Sequence, residues 1–261
     1  MEDDGVASLK WAVGVITAPR KKGYYLDKTL SSLKAVGWDS VVVFAEPNSP
    51  IPSDFNGDVV KRRKQYGDWA NWATAFYELL MTEPDADYYF IAEDDGLFCK
   101  GCREYLERTV PQLGKVGTVS PYCPGRYHVP NFVGYHNECH GSLTWSTLTV
   151  IMPHSSAVSF ISDHNVQKHR FVDVFADDNI IWGFDVDSKN SAKDAIIGQW
   201  AKRNGLPMYY HTPCLASHIG TDSTLSDKQT TWENLAKDFI GQETKPHWND
   251  FKIRKNNTCL L

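Results

Sequence analysis

The decisive stretch of this sequence is ADYYFIAEDD, residues 86–95. Its apolar and aromatic middle is typical of a strand buried inside a sheet, and it ends in three consecutive acids, Glu93, Asp94 and Asp95. Open α/β proteins bind ligands at the carboxyl ends of such strands, and adjacent carboxylates repel one another unless a cation or hydrogen-bond donors neutralise them. Hard oxygen ligands suit Mg²⁺ or Mn²⁺, which share their shells with substrate phosphates. The stretch therefore predicts a metal-held diphosphate, with a solvated acidic turn as the alternative.

Strands and helices alternate before this stretch and continue less regularly after it. The patterns of apolar residues predict strands at residues 10–17, 40–45, 59–60, 116–120, 143–152 and 208–210 and helices at residues 25–36, 68–81 and 191–204. This order predicts an α/β fold: a single Rossmann-like domain with a mixed, mostly parallel central sheet and helices on both faces. Residues past 223 are expected to form a mobile lid or tail.

Composition excludes several classes of protein. Of the 261 residues, 42% are hydrophobic and 23% are charged, which is typical of a folded globular protein and not of a disordered or fibrous one. The net charge of −5 speaks against a general nucleic-acid binder. The sequence shows neither a signal-peptide pattern nor a bilayer-length apolar run, so we expect no membrane partner and a cytoplasmic location, in a bacterium or a virus-infected cell.

The six cysteines are expected to be mostly reduced thiols in that compartment. Cys99 and Cys102 have the spacing of a zinc or redox pair, and Cys139 with His140 would complete a zinc set. A second pair at similar spacing is missing. The sequence therefore favours thiols over a zinc site.

Three short motifs follow one another between residues 10 and 225. They are the acidic triplet at residues 93–95, the acid-led helix that begins KDAIIGQW at Lys193, and SHIGTDS at residues 217–223. Together with the order of elements, this set resembles the GT-A class of nucleotide-sugar glycosyltransferases. The third motif is similar to the His-x-Gly segment of branching N-acetylglucosaminyltransferases and their relatives. The resemblance implies one GT-A-like domain, with a nucleotide-binding half (about 10–100), an acceptor and catalytic half (about 101–225) and a C-terminal lid or tail (226–261).

The resemblance also implies a reaction, the metal-dependent transfer of a sugar from a nucleotide-diphosphate sugar, with UDP-sugars as the expected donors and with inversion. Mn²⁺ or Mg²⁺ would be held by Asp95 and His218, with Glu93 as a further ligand. Asp194 would be the general base, and Asp187 is a competing base. The alternative for Asp194 is a structural cap, because residues 191–194 have the spacing of a capping box.

The donor is expected where the first two strands end, next to the acidic triplet. The residues that the resemblance places there are Thr17, Ala18, Pro19, Arg20, Glu46, Asn71, Glu93 and Asp94. Arg20 would pair with the pyrophosphate, since a guanidinium suits bidentate recognition of anions. On the acceptor side we expect Trp145, Trp182 and Asp185. Ordinary turn, capping or core roles are the alternative for each of these residues.

Several acceptors fit this reaction: a glycan, a small molecule, a protein or, in a viral context, a hydroxymethylated DNA base. The basic runs at residues 20–22 and 61–64 are where DNA phosphates would be contacted, and a base acceptor would have to be flipped out of its stack. One alternative function is a nucleotidyltransferase acting on sugar phosphates, although the glycine-rich phosphate loop typical of that class is missing after the first strand. Another is a non-catalytic nucleotide-sugar-binding protein.

Overall fold

A computed structural model describes residues 9–20, 23–137, 147–168, 192–220, 236–247, 249 and 251–255. In chain order its elements are β1 (Trp11–Thr17), α1 (Leu26–Ala35), β2 (Val42–Ala45), β3 (Val59–Lys61), α2 (Asp68–Thr82), β4 (Tyr88–Glu93), β5 (Gly96–Phe98), α3 (Cys102–Thr109), a 3-10 turn (Val110–Leu113), β6 (Thr118–Ser120), β7 (Gly134–His136), β8 (Thr149–Pro153), α4 (His154–Ser162), α5 (His164–Lys168), α6 (Ala192–Arg203), β9 (Met208–Thr212), β10 (Ala216–His218) and β11 (Lys252–Arg254).

Nine strands form one mixed sheet in the order β11-β7-β9-β6-β8-β4-β1-β2-β3. The pairs β1–β2, β1–β4, β2–β3, β6–β9 and β7–β11 are parallel, whereas β8 runs antiparallel to both β4 and β6, and β7 runs antiparallel to β9. The two remaining strands, β5 and β10, pair antiparallel in a small separate sheet. The predicted α/β fold with a mostly parallel mixed sheet is confirmed.

Helices cover both faces of the sheet, so β4 is buried on both sides. Along β4, Tyr88, Phe90 and Ala92 belong to one core, which also contains residues of α1 and α3. Tyr89 and Ile91 belong to a second core, which contains residues of α2, α4 and α6. This alternation is the two-residue period of a strand. The acidic triplet thus lies at the carboxyl end of a strand that is buried between the two cores.

The predicted elements agree with the structure to within about two residues wherever the apolar runs are long. The predicted strand at 143–152 is strand only from Thr149 among the described residues. Its first part, residues 143–146, lies outside the described residues, and so do residues 224–235 of the predicted lid. The described remainder of that segment is no detached tail: β11 is an edge strand of the main sheet, and Phe239 and Phe251 pack against the core. Within the described ranges, none of the helices combines the length and the apolar character that crossing a membrane requires.

Candidate functional site

A two-stranded sheet brings a histidine to the acidic triplet. After β4 the chain turns through Asp94 and Asp95 into β5, whose first residue, Gly96, pairs with His218 at the end of β10. The His218 Nε2 atom therefore lies 3.0 Å from Asp95 Oδ2. The backbone N–H of Ile219 donates to the Asp95 carbonyl at 2.9 Å and fixes the register. Two residues that are 123 positions apart in the sequence thus face each other.

Gly220 allows this approach because it has no side chain. A Cβ atom at position 220 would lie 2.1 Å from Asp95 Oδ2, which is far inside any van der Waals contact. The glycine of the His-x-Gly segment therefore has a steric role. It lets the backbone pass directly beside the Asp95 carboxylate.

Arg20, in the loop after β1, holds the two aspartates of the triplet together. Its Nη2 atom donates a short hydrogen bond to Asp94 Oδ1 and a second bond, of 2.7 Å, to Asp95 Oδ2. Thr17 Oγ1 donates to the other oxygen of Asp94 at 2.6 Å, and the guanidinium lies over the Tyr25 ring, 5.3 Å from its centroid. Asp94 and Asp95 are only 5% and 1% exposed. Arg20 therefore neutralises a carboxylate pair that would otherwise be costly to bury.

Burial and nearby charges shift the proton affinities of the two aspartates in opposite directions. Burial raises the pKa of Asp94, and this outweighs the opposing charge of Arg20. Burial also raises the pKa of Asp95, but the hydrogen bond and charge of His218 and the charge of Arg20 outweigh it, so that this pKa lies below its usual value. The His218 imidazole, in turn, has its pKa raised by Asp95 against the effect of burial. Asp95 therefore gives up its proton more readily than Asp94 does.

Lys193 neutralises the remaining acid of the triplet. Lys193 is 1% exposed, and its ammonium lies 2.8 Å from Glu93 Oε1 and 2.7 Å from Asp68 Oδ1. Burial lowers the pKa of Lys193, but the charges of Asp68 and Glu93 raise it by more than burial lowers it, so the side chain remains an ammonium. These two bonds fasten the start of α6 to the start of α2 and to the end of β4.

Asp194, next along α6, has an unusual proton affinity. Burial raises its pKa to about 7, and the charge of Lys193 and a hydrogen bond from Thr147 reduce this effect. The Oδ1 atom is buried and has no hydrogen-bond partner within the described ranges. A carboxyl group with such a pKa can exchange a proton near neutral pH.

An open cleft lies at the carboxyl ends of β1, β2 and β4. Its lining contains all eight residues that were predicted to contact the donor, together with four more, Ile16, Gln65, Gly67 and Asp68. The acidic triplet enters this lining through Glu93 and Asp94. The sequence thus predicted which residues share a cleft, and their donor-binding role stays a prediction.

Glu46 and Asn71, two further residues of this lining, also have structural partners. Glu46 accepts hydrogen bonds from the backbone N–H groups of Tyr66 and Gly67 at 2.9–3.0 Å and so holds the chain at the start of α2. Asn71 donates to the Phe44 carbonyl at 3.2 Å and accepts from Arg62 Nε at 2.8 Å. These contacts shape the wall of the cleft, in agreement with the structural alternative for both side chains.

The residues around Asp95 fit a divalent cation with two protein ligands. Asp95 Oδ1 is buried and has no hydrogen-bond partner among the described residues, and His218 Nε2 lies 3.0 Å from the other oxygen of this carboxylate. A carboxylate and an imidazole nitrogen are ligands that suit Mn²⁺ or Mg²⁺. Glu93 is engaged by Lys193 instead. No group of three or more metal-binding side chains occurs within the described ranges, so the predicted three-ligand set is not assembled there. Such an ion would complete its shell with water and substrate phosphates.

Other predicted site residues lie outside the described residues: Asp187, Trp145, Trp182 and Asp185, as well as Cys139 and His140 of the suggested zinc set. Cys99 and Cys102 are buried thiols. In the basic run at 61–64, Arg62 is not available to phosphates, because it is buried and pairs with Glu78 at 2.8 Å. That part of the DNA expectation needs correction: the Arg62 guanidinium lies against the Phe44 and Tyr66 rings and is paired with Glu78.

Sequence reasoning missed Lys193 and Asp68. A signal for Lys193 was present: it precedes Ile196, Ile197 and Trp200 by three, four and seven residues, which places it on the apolar stripe of its helix. A lysine on that stripe is expected to be buried with an acid. Asp68 resembles an ordinary helix-start acid, and only the fold brings it to Lys193.

Comparison with known proteins identifies no family. No protein-family model matches the chain, and no curated protein matches it. Among solved structures, the chain aligns with a nucleotidyl transferase from Methanothermobacter thermautotroptrophicus, with a TM-score of 0.41, 9% identity, and coverage of 78% of this chain and 88% of that one. Similarity at this level carries no argument about function. The chemistry of the site is therefore argued from its own residues.

Proposed function

We propose that the protein is a glycosyltransferase that moves a sugar from a nucleotide-diphosphate sugar to an acceptor hydroxyl. One observation carries the proposal: the cleft at the ends of β1, β2 and β4 is lined by Glu93 and Asp94 of the acid-tipped strand and by Arg20. Asp95, the next acid, lies outside this lining and contacts His218 at 3.0 Å. The carboxyl edge of the sheet is where open α/β folds bind nucleotides. The cleft offers polar groups for the nucleotide at Thr17 and Gln65 and a cation for the diphosphate at Arg20.

Asp95 and His218 are the residues that would hold Mn²⁺ or Mg²⁺. When bound, the ion would supply positive charge to the leaving diphosphate. Asp95 is suited to this role because His218 and Arg20 keep it ionised. Arg20 would bind the diphosphate oxygens next to the ion, since a guanidinium matches two anionic oxygens in one plane.

Asp194 would accept the proton of the acceptor hydroxyl. As the acceptor oxygen bonds to the anomeric carbon, the bond from that carbon to the diphosphate oxygen breaks, and the hydroxyl proton passes to the Asp194 carboxylate. Its pKa of about 7 suits a group that must gain and lose a proton in every cycle. Lys193 holds the start of α6 against Glu93 and Asp68 and so fixes the position of Asp194.

Product analysis tests this function directly. The protein is incubated with Mn²⁺, a panel of UDP-sugars and candidate acceptors, and the products are identified by mass spectrometry. The proposal predicts UDP and a glycosylated acceptor. If nucleoside monophosphate is instead transferred to a sugar phosphate, with release of pyrophosphate, the nucleotidyltransferase alternative replaces it. Tight donor binding without any turnover would identify a binding protein.

A further inference from the structure

We propose that Arg20 is an internal competitor of the divalent cation. Arg20 pairs with Asp94 and Asp95, and it transfers to the diphosphate when donor and metal bind, so that metal and nucleotide bind together. The nucleotide half of this inference rests on the proposed function. The competition between Arg20 and the metal rests only on the cation site proposed at Asp95 and His218.

The competition follows from the atoms that Arg20 contacts. A single nitrogen, Nη2, bridges Asp94 Oδ1 and Asp95 Oδ2, and the same Asp95 oxygen lies 3.0 Å from His218 Nε2. An ion between Asp95 and His218 would therefore lie against the guanidinium. Two cations in contact at a buried site repel each other strongly, and binding of the metal requires that Arg20 leave Asp95.

The open cleft beside Arg20 leaves space for its side chain to move away from Asp95. Arg20 lines the cleft, and its guanidinium lies over the Tyr25 ring and not inside the core. Thr17 Oγ1 keeps one bond to Asp94 after Arg20 has moved. A diphosphate in the cleft would offer the displaced guanidinium two anionic oxygens. The structure thus couples the two binding events, and the coupling is reciprocal: the nucleotide raises metal affinity as much as the metal raises nucleotide affinity.

The first test uses Mn²⁺ alone, with no nucleotide. Its dissociation constant is measured by electron paramagnetic resonance for the wild-type protein, for Arg20→Gln and for the control Arg203→Gln. Arg203 pairs with Asp163 at 2.9 Å at the far end of α6, so the control makes the same change of charge away from the site. We expect Arg20→Gln to bind Mn²⁺ about tenfold more tightly than wild type, because a competing cation is gone. The control should stay within about twofold.

Two results of this test would overturn the proposal. One is an Arg20→Gln affinity for Mn²⁺ equal to or below that of wild type, which would mean that Arg20 supports the metal site. The other is an equal gain in the control, which would reduce the effect to net charge. If circular dichroism shows that Arg20→Gln is unfolded, Arg20→Lys replaces it. The ammonium lacks the planar fork, and we expect an approximately threefold gain, whereas no gain would count against the competition.

The second test adds UDP. In wild type, saturating UDP should tighten Mn²⁺ binding about tenfold, and in Arg20→Gln this gain should shrink while UDP itself binds more weakly. If UDP binds to wild type without changing Mn²⁺ affinity, the coupling is wrong. If UDP does not bind at all, it is the proposed function that fails, and the Mn²⁺-only comparison still decides whether Arg20 competes with the metal.

Discussion

Single residues decide whether the acid-tipped strand can act as a site. Gly220 leaves room for the Asp95 carboxylate, and Asp194 has a pKa of about 7. The space beside Asp95 exists because Gly220 lacks a Cβ atom, and the pKa of Asp194 is raised because the carboxyl group is buried. Each can be tested by a substitution with a neighbouring control.

We predict that Gly220→Ala lowers Mn²⁺-dependent donor affinity at least about tenfold, because the new methyl group would displace Asp95 from its position beside His218. Donor titration in Mn²⁺ measures the effect. Gly96→Ala is the matched control: it adds the same methyl group next to Asp95, where the nearest atoms would lie 3.6 Å away in ordinary contact. Equal losses in both variants, or none in Gly220→Ala, would contradict the steric role of Gly220.

We predict that turnover rises with pH through about 7 and that Asp194→Asn removes this rise. The carboxyl group accepts a proton only when it is ionised, so activity is low below its pKa of about 7 and reaches a plateau above it. The asparagine variant should lose about 10²-fold or more in kcat and retain donor binding. Pre-steady-state rates from pH 5.5 to 8.5 measure both effects, with exposed Asp85→Asn as the control. A full rate in Asp194→Asn would remove Asp194 from the mechanism.

The length of each strand determines whether its position can be predicted from the sequence. β1, β2 and β4 are apolar runs that both cores bury, so their positions and the cleft at their ends could be predicted. β5 and β10 have three residues each, too few to show a period, and yet they place His218 beside Asp95. That contact depends on pairing between distant segments. Only the resemblance to a known family suggested it.

The start of α6 is the element on which the proposed catalytic role of Asp194 depends. We predict that Lys193→Met destabilises the protein by about 2 kcal/mol, less than a fully buried pair because Glu93 and Asp68 retain some contact with water. Two carboxylates would lose their shared cation. Urea unfolding measures the change, and Lys202→Met, an exposed lysine on the same helix, is the control.

The pairing of Lys193 with Asp68 and Glu93 can also be tested by removing all three charges together. Adding Asp68→Asn and Glu93→Gln to Lys193→Met should recover part of the lost stability, since no unpaired charge would remain. The single variants Asp68→Asn and Glu93→Gln are measured as well. If the triple variant is less stable than Lys193→Met by the sum of these two single losses, the three groups act independently, and Lys193 does not bridge Asp68 and Glu93.

The whole molecule should also respond to acid through two buried histidines of the main sheet. His211 donates from Nδ1 to the Pro213 carbonyl at 2.7 Å and accepts at Nε2 from the Tyr105 hydroxyl at 2.8 Å. His136 Nε2 lies 2.8 Å from Thr212 Oγ1. Burial lowers the pKa of each to about 4. Below a pH of about 6.5 the two histidines are protonated in the unfolded chain but stay neutral in the folded protein. The stability that the neutral rings contribute is therefore lost as the pH falls from 6.5 towards 4.

We predict this loss in a comparison of wild type with His211→Gln. The advantage of wild type in free energy of unfolding should be constant above a pH of about 7 and shrink by on the order of 3 kcal/mol as the pH approaches 4. Urea titrations across this range measure the difference, which cancels the contributions of other groups such as Asp194 and His218. The exposed His247→Gln should show no such trend. A wild-type advantage that is independent of pH would contradict the burial of a neutral His211.

Donor binding is the property of the whole molecule on which this account depends. The most direct measurement is calorimetric titration of a panel of nucleotide sugars into the protein, first with Mn²⁺ and then with EDTA, with Asp95→Asn in parallel. The account predicts that one donor binds in Mn²⁺, and that EDTA and the Asp95→Asn substitution each abolish its binding. If no donor binds to a folded protein in saturating Mn²⁺, the cleft is not a nucleotide-sugar site and the acidic triplet is a structural turn.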